Sequence, residues 1–301
     1  MRIANGVSAS NFAHLNPYAL LKRFRRRNWR QNEQTSAFSA LRPVAVVSGA
    51  SEGIGRALAG EFARAGHDLL LVARTPGPLS AAAAELASTG VQIATLSADL
   101  ATTDGCAAVA AALAASSAYC DVLVNNAGIG LGGPFAGQSE ADLDQLVDLN
   151  VGAVTRLTRS VLPGMLARGR GGILNVASLG GLVPGPNQAA YYASKAYVIS
   201  LTEALAQETA GQGVQISALL PGSVATKFHA RMGAEHAYNL ALTGVMDPQQ
   251  VARTGYRGFR LGLTLVYPSF LHHVNAIVLR ILPHWFSVPV VGWMLRQRRA
   301  G

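Results

Sequence analysis

Residues 44–66 read VAVVSGASEGIGRALAGEFARAG, and the three pieces of that stretch decide the fold. VAVVS (44–48) is a continuous apolar run of strand length, and RALAGEFARAG (56–66) is an amphipathic helix closing on Gly66 as its C-cap. Between them GASEGIG (49–55) spaces its glycines G-x-x-x-G-x-G. Bare backbone at Gly49, Gly53 and Gly55 lets the chain turn tightly, approach a pyrophosphate and aim helix N-terminal N–H groups at it. Ser51 and Ile54, inside the same turn, share that contact. The stretch predicts the first strand, turn and helix of a parallel α/β sheet that holds a dinucleotide.

Working outward, apolar runs and helical stretches alternate from Pro43 onward, as in consecutive βαβ units. DLLLVA (68–73) is a second strand, followed by an alanine-rich helix up to Ser88 and a third strand, VQIATLS (91–97). A helix over 102–117 leads to a fourth strand in the apolar half of DVLVNNAG (121–128), and 139–168 reads as one long helix carrying Asn150. GILNVAS (172–178) is the fifth strand, the helix around Tyr191 follows, and VQISALLPG (214–222) is the sixth. Residues 223–246 read as an irregular, mobile lid, and Asp247-Pro248 opens another helix as N-cap and first residue. LTLVYP (263–268) is a last strand, with SFLHHVNAIVLRILPHW (269–285) a helix after it. The expected architecture is a doubly wound, Rossmann-type parallel sheet of about seven strands with helices on both faces. It divides the chain into a basic N-terminal extension (1–42), a nucleotide-binding catalytic domain (43–268) and an apolar, basic helical extension (269–301).

Chemistry concentrates in ASLGGLVPGPNQAAYYASK, residues 177–195. Tyr191 and Lys195 leave one helix face a turn apart, and Ser178 ends the fifth strand, at the edge where open α/β sheets bind ligands. A phenol titrates at about 10, and bringing it to neutrality takes about 4 kcal/mol, for which Lys195 is the local source. Tyr192 points about a quarter turn away from Lys195 and Tyr197 lies beyond it, so both read as packing or interface residues. Asp99, just past the third strand, has two readings, an acceptor for an adenine amino group or a helix N-cap. At the end of the second strand an acid would bind a ribose diol, whereas LVART offers Ala73 and then Arg74, whose guanidinium suits a 2′-phosphate. Glu52, in the glycine turn, argues the other way.

The charge of +9 is spread unevenly over the 301 residues. Residues 1–42 hold eight Lys or Arg and one acid, 43–250 hold ten and fifteen, and 251–301 hold seven and none. The densest feature is KRFRRRNWR (22–30), which fits a basic tail or an organelle transit peptide. Phe24 and Trp29 are its aromatic company, and with no binding module around them nucleic acid is not an expected partner. Cys106 and Cys120 have neither disulfide nor metal-ligand spacing and read as free thiols in a reducing, cytoplasmic compartment. His272, His273 and His284 lack an accompanying acid cluster, so no metal site is expected. Prolines interrupt the apolar tail before it reaches membrane-spanning length. Its helix is left three roles: covering the cleft, packing on another subunit or lying on a membrane.

These residues resemble, in order, the short-chain dehydrogenase/reductase family. The resemblance runs in full from Pro43 to about Thr226, and more loosely to Pro268. It rests on GASEGIG, Asp99-Leu100, Asn125-Asn126-Ala127-Gly128, Asn150, Ser178, Tyr191-x-x-x-Lys195 and Pro221-Gly222-Ser223-Val224-Ala225-Thr226. The resemblance implies a catalytic tetrad of Asn150, Ser178, Tyr191 and Lys195. It further implies that Asn126, Ala127 and Gly128 line the adenosine side, while Pro221, Gly222, Val224 and Thr226 hold the nicotinamide. Tyr191 would pass a proton to a carbonyl oxygen, Ser178 would hydrogen-bond that oxygen, and Lys195 would bind the nicotinamide ribose. Asn150 would support a water chain from Lys195. The expected protein is an oxidoreductase interconverting a ketone or aldehyde and an alcohol on a small hydrophobic, lipid-like substrate. NADP(H) is the expected cofactor and NAD(H) the alternative. The assembly is expected to be a homodimer or homotetramer, with peripheral membrane contact through the basic ends. The competing readings are an NAD-dependent alcohol dehydrogenase of the same family and a catalytically silent cofactor-binding scaffold.

Overall fold

The computed structural model describes residues 40–232 and 245–295. Most of the basic N-terminal extension, the centre of the expected lid and the last six residues lie outside them. Seven parallel strands form one sheet in the order β3-β2-β1-β4-β5-β6-β7. They are β1 (Arg42–Ser48), β2 (Asp68–Ala73), β3 (Ile93–Ser97), β4 (Ala118–Asn125), β5 (Gly171–Val176), β6 (Val214–Leu219) and β7 (Leu265–Val266). Helices α1 (Gly53–Arg64), α2 (Pro76–Leu86), α3 (Thr103–Ala115), α4 (Glu140–Val147), α5 (Val154–Arg168) and α6 (Ala189–Glu208) connect them. The remainder are α7 (Phe228–Arg231), α8 (Pro248–Arg260), α9 (Phe270–Ile281) and α10 (His284–Met294).

Both faces of the sheet are covered, which is why its inner strands read as unbroken apolar runs instead of alternating ones. Successive side chains of β1 part company: Ala45 and Val47 enter one core with α1, α2 and α8, whereas Val44 and Val46 enter another with α3 and α5. Leu69 and Leu71 divide from Leu70 and Val72 in the same way. On the first face Phe62 of α1 meets Tyr256 and Phe259 of α8 edge-on, with ring centroids 4.9 and 6.0 Å apart.

Several boundaries differ from those expected. α1 begins at Gly53, not Arg56, so the last glycines of the turn already form its first turn; its C-cap is Ala65, and Gly66, expected in that place, follows it at φ 81°. The long helix over 139–168 is interrupted by a wide π turn, Asp148–Ala153, that separates α4 from α5. This extra residue per turn swings Asn150, a poor helix residue, inward to partners beyond the helix. The C-terminal helix expected over 269–285 is two helices. Pro283 forces Leu282 into extended geometry, with ψ 129°, and α10 starts afresh at His284. Of the expected lid, the described flanks carry α7 and a single bridge between Val224 and Met246.

Candidate active site

Strand order reverses between β1 and β4, and there the carboxyl ends of the strands open into a cavity of about 910 Å³. The glycine turn forms its floor. Gly49 and Gly53 have φ of 64° and 57°, and a side chain at Gly49 would lie 2.7 Å from the Asn126 amide nitrogen. Asn126 donates to the carbonyls of Ser48 and Gly49, both at 3.1 Å, and so ties the turn to the end of β4. Ser48 Oγ completes the tie by accepting from the backbone of Asn126 and Ala127. A Cβ at Gly53 would stand 3.0 Å from Thr226 Cγ2, so the segment after β6 closes down upon bare backbone.

Gly55 does not line the cavity: its missing side chain would fall 2.2 Å from the Gly49 carbonyl oxygen, which makes it a packing position beneath the turn. Ser51, Ile54, Arg74, Asp99, Leu100, Ala127, Gly128, Pro221, Gly222 and Val224 all reach the wall. Asp99 is not the N-cap of α3; Thr102 is, accepting from the Gly105 N–H at 2.9 Å. The Asp99 carboxylate instead accepts from the Ala101 N–H and remains at the cavity.

The chemistry suits an anionic dinucleotide. Glu52 precedes α1 without capping it and the first turn of α1 holds no acid, so the positive end of the helix faces the cavity. Arg74 stands at the end of β2, and among the described residues no acid pairs with it. Glu52, which argued against a second phosphate, is paired with Arg231 of α7.

Ser178, Tyr191 and Lys195 meet across the same cavity. Ser178 follows β5, its Oγ accepting from the Gly180 N–H at 3.0 Å and donating to the Pro221 carbonyl at 3.5 Å. The expectation that Lys195 draws down the Tyr191 phenol is not met. Burial pushes the phenol up to about 12, and the nearby Ser178 side chain opposes this in part. Lys195 Nζ is turned to the Val176 carbonyl at 2.9 Å, and burial brings it down to about 8. Asn150 stands behind the wall. Its Oδ1 accepts from the Ile129 N–H at 2.9 Å, while Nδ2 donates to the Ile129 carbonyl and to Ser194 Oγ. A side chain at Gly128 would lie 3.0 Å from Asn150 Oδ1 and 3.6 Å from Lys195 Nζ, so this glycine keeps the space between them open.

Of the opposite wall the sequence offered only the C-terminal helix, with covering the cleft as one of its three roles. Tyr192, taken as a packing residue, packs its ring on Gly180 and Gly185 and also faces the cavity. Phe228 of α7 sits 5.5 Å from the Tyr191 ring, centroid to centroid. Leu271, Val278 and Leu279 of α9 and Val291 and Met294 of α10 supply an apolar side, so the tail covers the cleft. His272 is the polar exception. It is buried, its Nδ1 lies 2.6 Å from Ser269 Oγ, and its Nε2 faces Gly222, where a Cβ would come within 2.5 Å. Its legible signal was Ser269, which caps α9 and fixes the ring.

Comparison with known proteins agrees with this geometry. The family model described as short chain dehydrogenase matches residues 43–237. Among curated proteins, the oxidoreductase UcpA of Salmonella typhimurium is 37% identical over 184 residues, covering 61% of this chain and 70% of its own. A short-chain dehydrogenase of Sphingobium yanoikuyae, solved in complex with NADPH, is 32% identical with a TM-score of 0.70, over 80% of this chain and 96% of its own. The bulky-bulky ketone specific alcohol dehydrogenase of Comamonas testosteroni is 30% identical with a TM-score of 0.66, over 81% and 96%.

Proposed function

This chain belongs to the short-chain dehydrogenase family and is an NAD(P)-dependent oxidoreductase; from that premise we propose that it reduces a bulky hydrophobic ketone or aldehyde with NADPH, Tyr191 giving the proton. The observation that carries the reading is that Ser178, Tyr191 and Lys195 line one cavity, between its glycine-floored half and its apolar half. The nicotinamide, when bound, supplies the hydride.

The residues of the chain do the rest. Gly49, Ser51, Gly53 and Ile54 receive the pyrophosphate at the start of α1, and Arg74 takes the 2′-phosphate. Asp99, Leu100, Asn126, Ala127 and Gly128 flank the adenosine, and Pro221, Gly222, Val224 and Thr226 the nicotinamide end. Ser178 orients the carbonyl oxygen and Tyr191 protonates it as the alcohol forms. A phenol pushed up to about 12 holds its proton throughout the neutral range, as the proton donor of a carbonyl reduction must. Lys195 holds the ribose, and Asn150 holds the Ile129 loop and Ser194, the residue before Lys195, from behind. The apolar side from α9 and α10 favours a substrate with little polarity, in keeping with the ketone specificity named for the Comamonas relative.

A panel of aliphatic and aromatic ketones and aldehydes, followed by NADPH consumption, tests this. Turnover that rises with substrate bulk and apolarity is expected. Turnover confined to small polar carbonyls, or supported only by NADH, would reject it.

A further inference from the structure

We infer that His272 sets substrate preference, its Nε2–H donating to a neutral oxygen that an otherwise apolar ketone carries beyond its reacting carbonyl. The inference rests on the carbonyl reduction proposed above and names a feature of its substrate. His272 lies outside residues 43–237, which the family model matches. α9 meets the cavity through Leu271, Val278 and Leu279, and within that apolar side two polar residues stand one turn apart, His272 and Asn275. His272 is the deeper of the two, 6% exposed, while Asn275 is half-buried.

A polar ring is costly to bury unless its nitrogens find partners. Nδ1 has one, Ser269 Oγ at 2.6 Å. That hydroxyl already accepts from the His272 backbone N–H at 3.3 Å, so its own proton goes to Nδ1 and the ring proton sits on Nε2. Among the described residues no hydrogen-bond acceptor meets Nε2. Burial holds the imidazole below its ordinary 6.5, so at neutral pH the ring offers a hydrogen bond without a charge. Its match is an ester, ketone or ether oxygen.

The surroundings of Nε2 tie it to the reacting end of the cavity. A Cβ on Gly222 would stand 2.5 Å from it. Gly222 follows Pro221, whose carbonyl Ser178 Oγ reaches at 3.5 Å, and α9 also packs on the turn 179–182 that comes after Ser178. A substrate with its carbonyl at Ser178 and Tyr191 therefore carries its next few atoms past the ring. His272 belongs to the apolar half of the cavity, which makes the substrate its partner in preference to the dinucleotide. A site that hydrogen-bonds one group of its substrate discriminates against the analogue that lacks it, because the buried donor is then stranded.

Ethyl esters of 3-oxo, 4-oxo and 5-oxo fatty acids are each paired with the ketone of equal chain length that has methylenes in place of the ester. Steady-state kinetics with NADPH are measured on the parent, on His272→Leu and His272→Phe, which fill the space without a donor, and on His272→Gln, whose amide returns an N–H close to the place of Nε2. Comparing the ester-to-ketone ratio of kcat/KM between proteins cancels the intrinsic reactivity of each compound. For the best of the three esters that ratio should fall by roughly tenfold in the leucine and phenylalanine variants, the effect of losing one neutral hydrogen bond. The fall should lie mainly in KM, and the glutamine should restore part of it. NADPH affinity, from fluorescence titration, should stay within a few-fold of the parent. An unchanged ratio, equal losses on ester and ketone, a glutamine variant no better than leucine, or a loss of NADPH affinity matching the loss on the ester would each overturn the inference. The unsubstituted ketones test the carbonyl reduction separately: if they are reduced and the ratio does not move, only the role of His272 fails. If no member of any pair is reduced, both readings fail together.

Discussion

The Lys195 ammonium donates a 2.9 Å hydrogen bond to the carbonyl of Val176, the last residue of β5, and stands 5.8 Å from the centroid of the Tyr191 ring. The cation is therefore anchored to the sheet instead of to the phenol, and burial dominates the protonation of both groups.

The pH profile follows from that anchoring. Lys195, brought from its ordinary 10.5 down to about 8, is charged below pH 8 and loses its charge as pH rises through that value. With NADPH and a ketone, kcat/KM should be flat below pH 8 and fall above it, a limb belonging to the free protein. Unfolding at Lys195 does not explain the fall. The unfolded chain binds this proton more tightly, so between about 8 and 10.5 the lysine's contribution to stability grows with pH. A limb that persists in Lys195→Met would assign it to another group.

Tyr191→Phe removes the transferable proton while keeping the ring against Phe228. Turnover should drop by roughly 100-fold to 10,000-fold, with NADPH affinity changed by less than a few-fold. Stopped-flow turnover and fluorescence titration measure the two quantities; turnover near that of the parent would remove Tyr191 from the mechanism.

Arg74→Ala should weaken NADPH by roughly 10-fold to 100-fold, the worth of a charge-assisted hydrogen-bonded contact, and leave NADH almost unchanged. Equal losses for both cofactors, measured by titration, would make Arg74 a structural residue of the β2 end.

Asn150→Ala strands the Ile129 N–H and carbonyl in a buried setting, where Asn150 is 1% exposed. A loss of about 1–3 kcal/mol is expected in urea unfolding. KM for the ketone should change less than kcat, since Asn150 does not line the cavity. Unaltered stability would mean that the π turn holds without it.

The sequence by itself determined the order of strands and helices and the glycine turn, because covered parallel strands must be apolar throughout and a pyrophosphate needs bare backbone beside a helix start. It also drew together Ser178, Tyr191 and Lys195, whose spacing follows from one strand end and one helical turn. Local pattern says nothing of how deep a group lies, and so it set the Tyr191 phenol low where desolvation holds it high. Nor does it register a π turn, since Asn150 is drawn inward by the backbone of Ile129, 21 residues earlier in the chain. The second wall of the cavity belongs to tertiary structure altogether. α9 and α10 read as one apolar helix with three open roles until Pro283 divides them and packing brings Leu279 and Met294 over the cleft. Apolar character fixes that a residue leaves water; which surface receives it depends on contacts between residues more than 40 positions apart, as when His272 closes against Gly222.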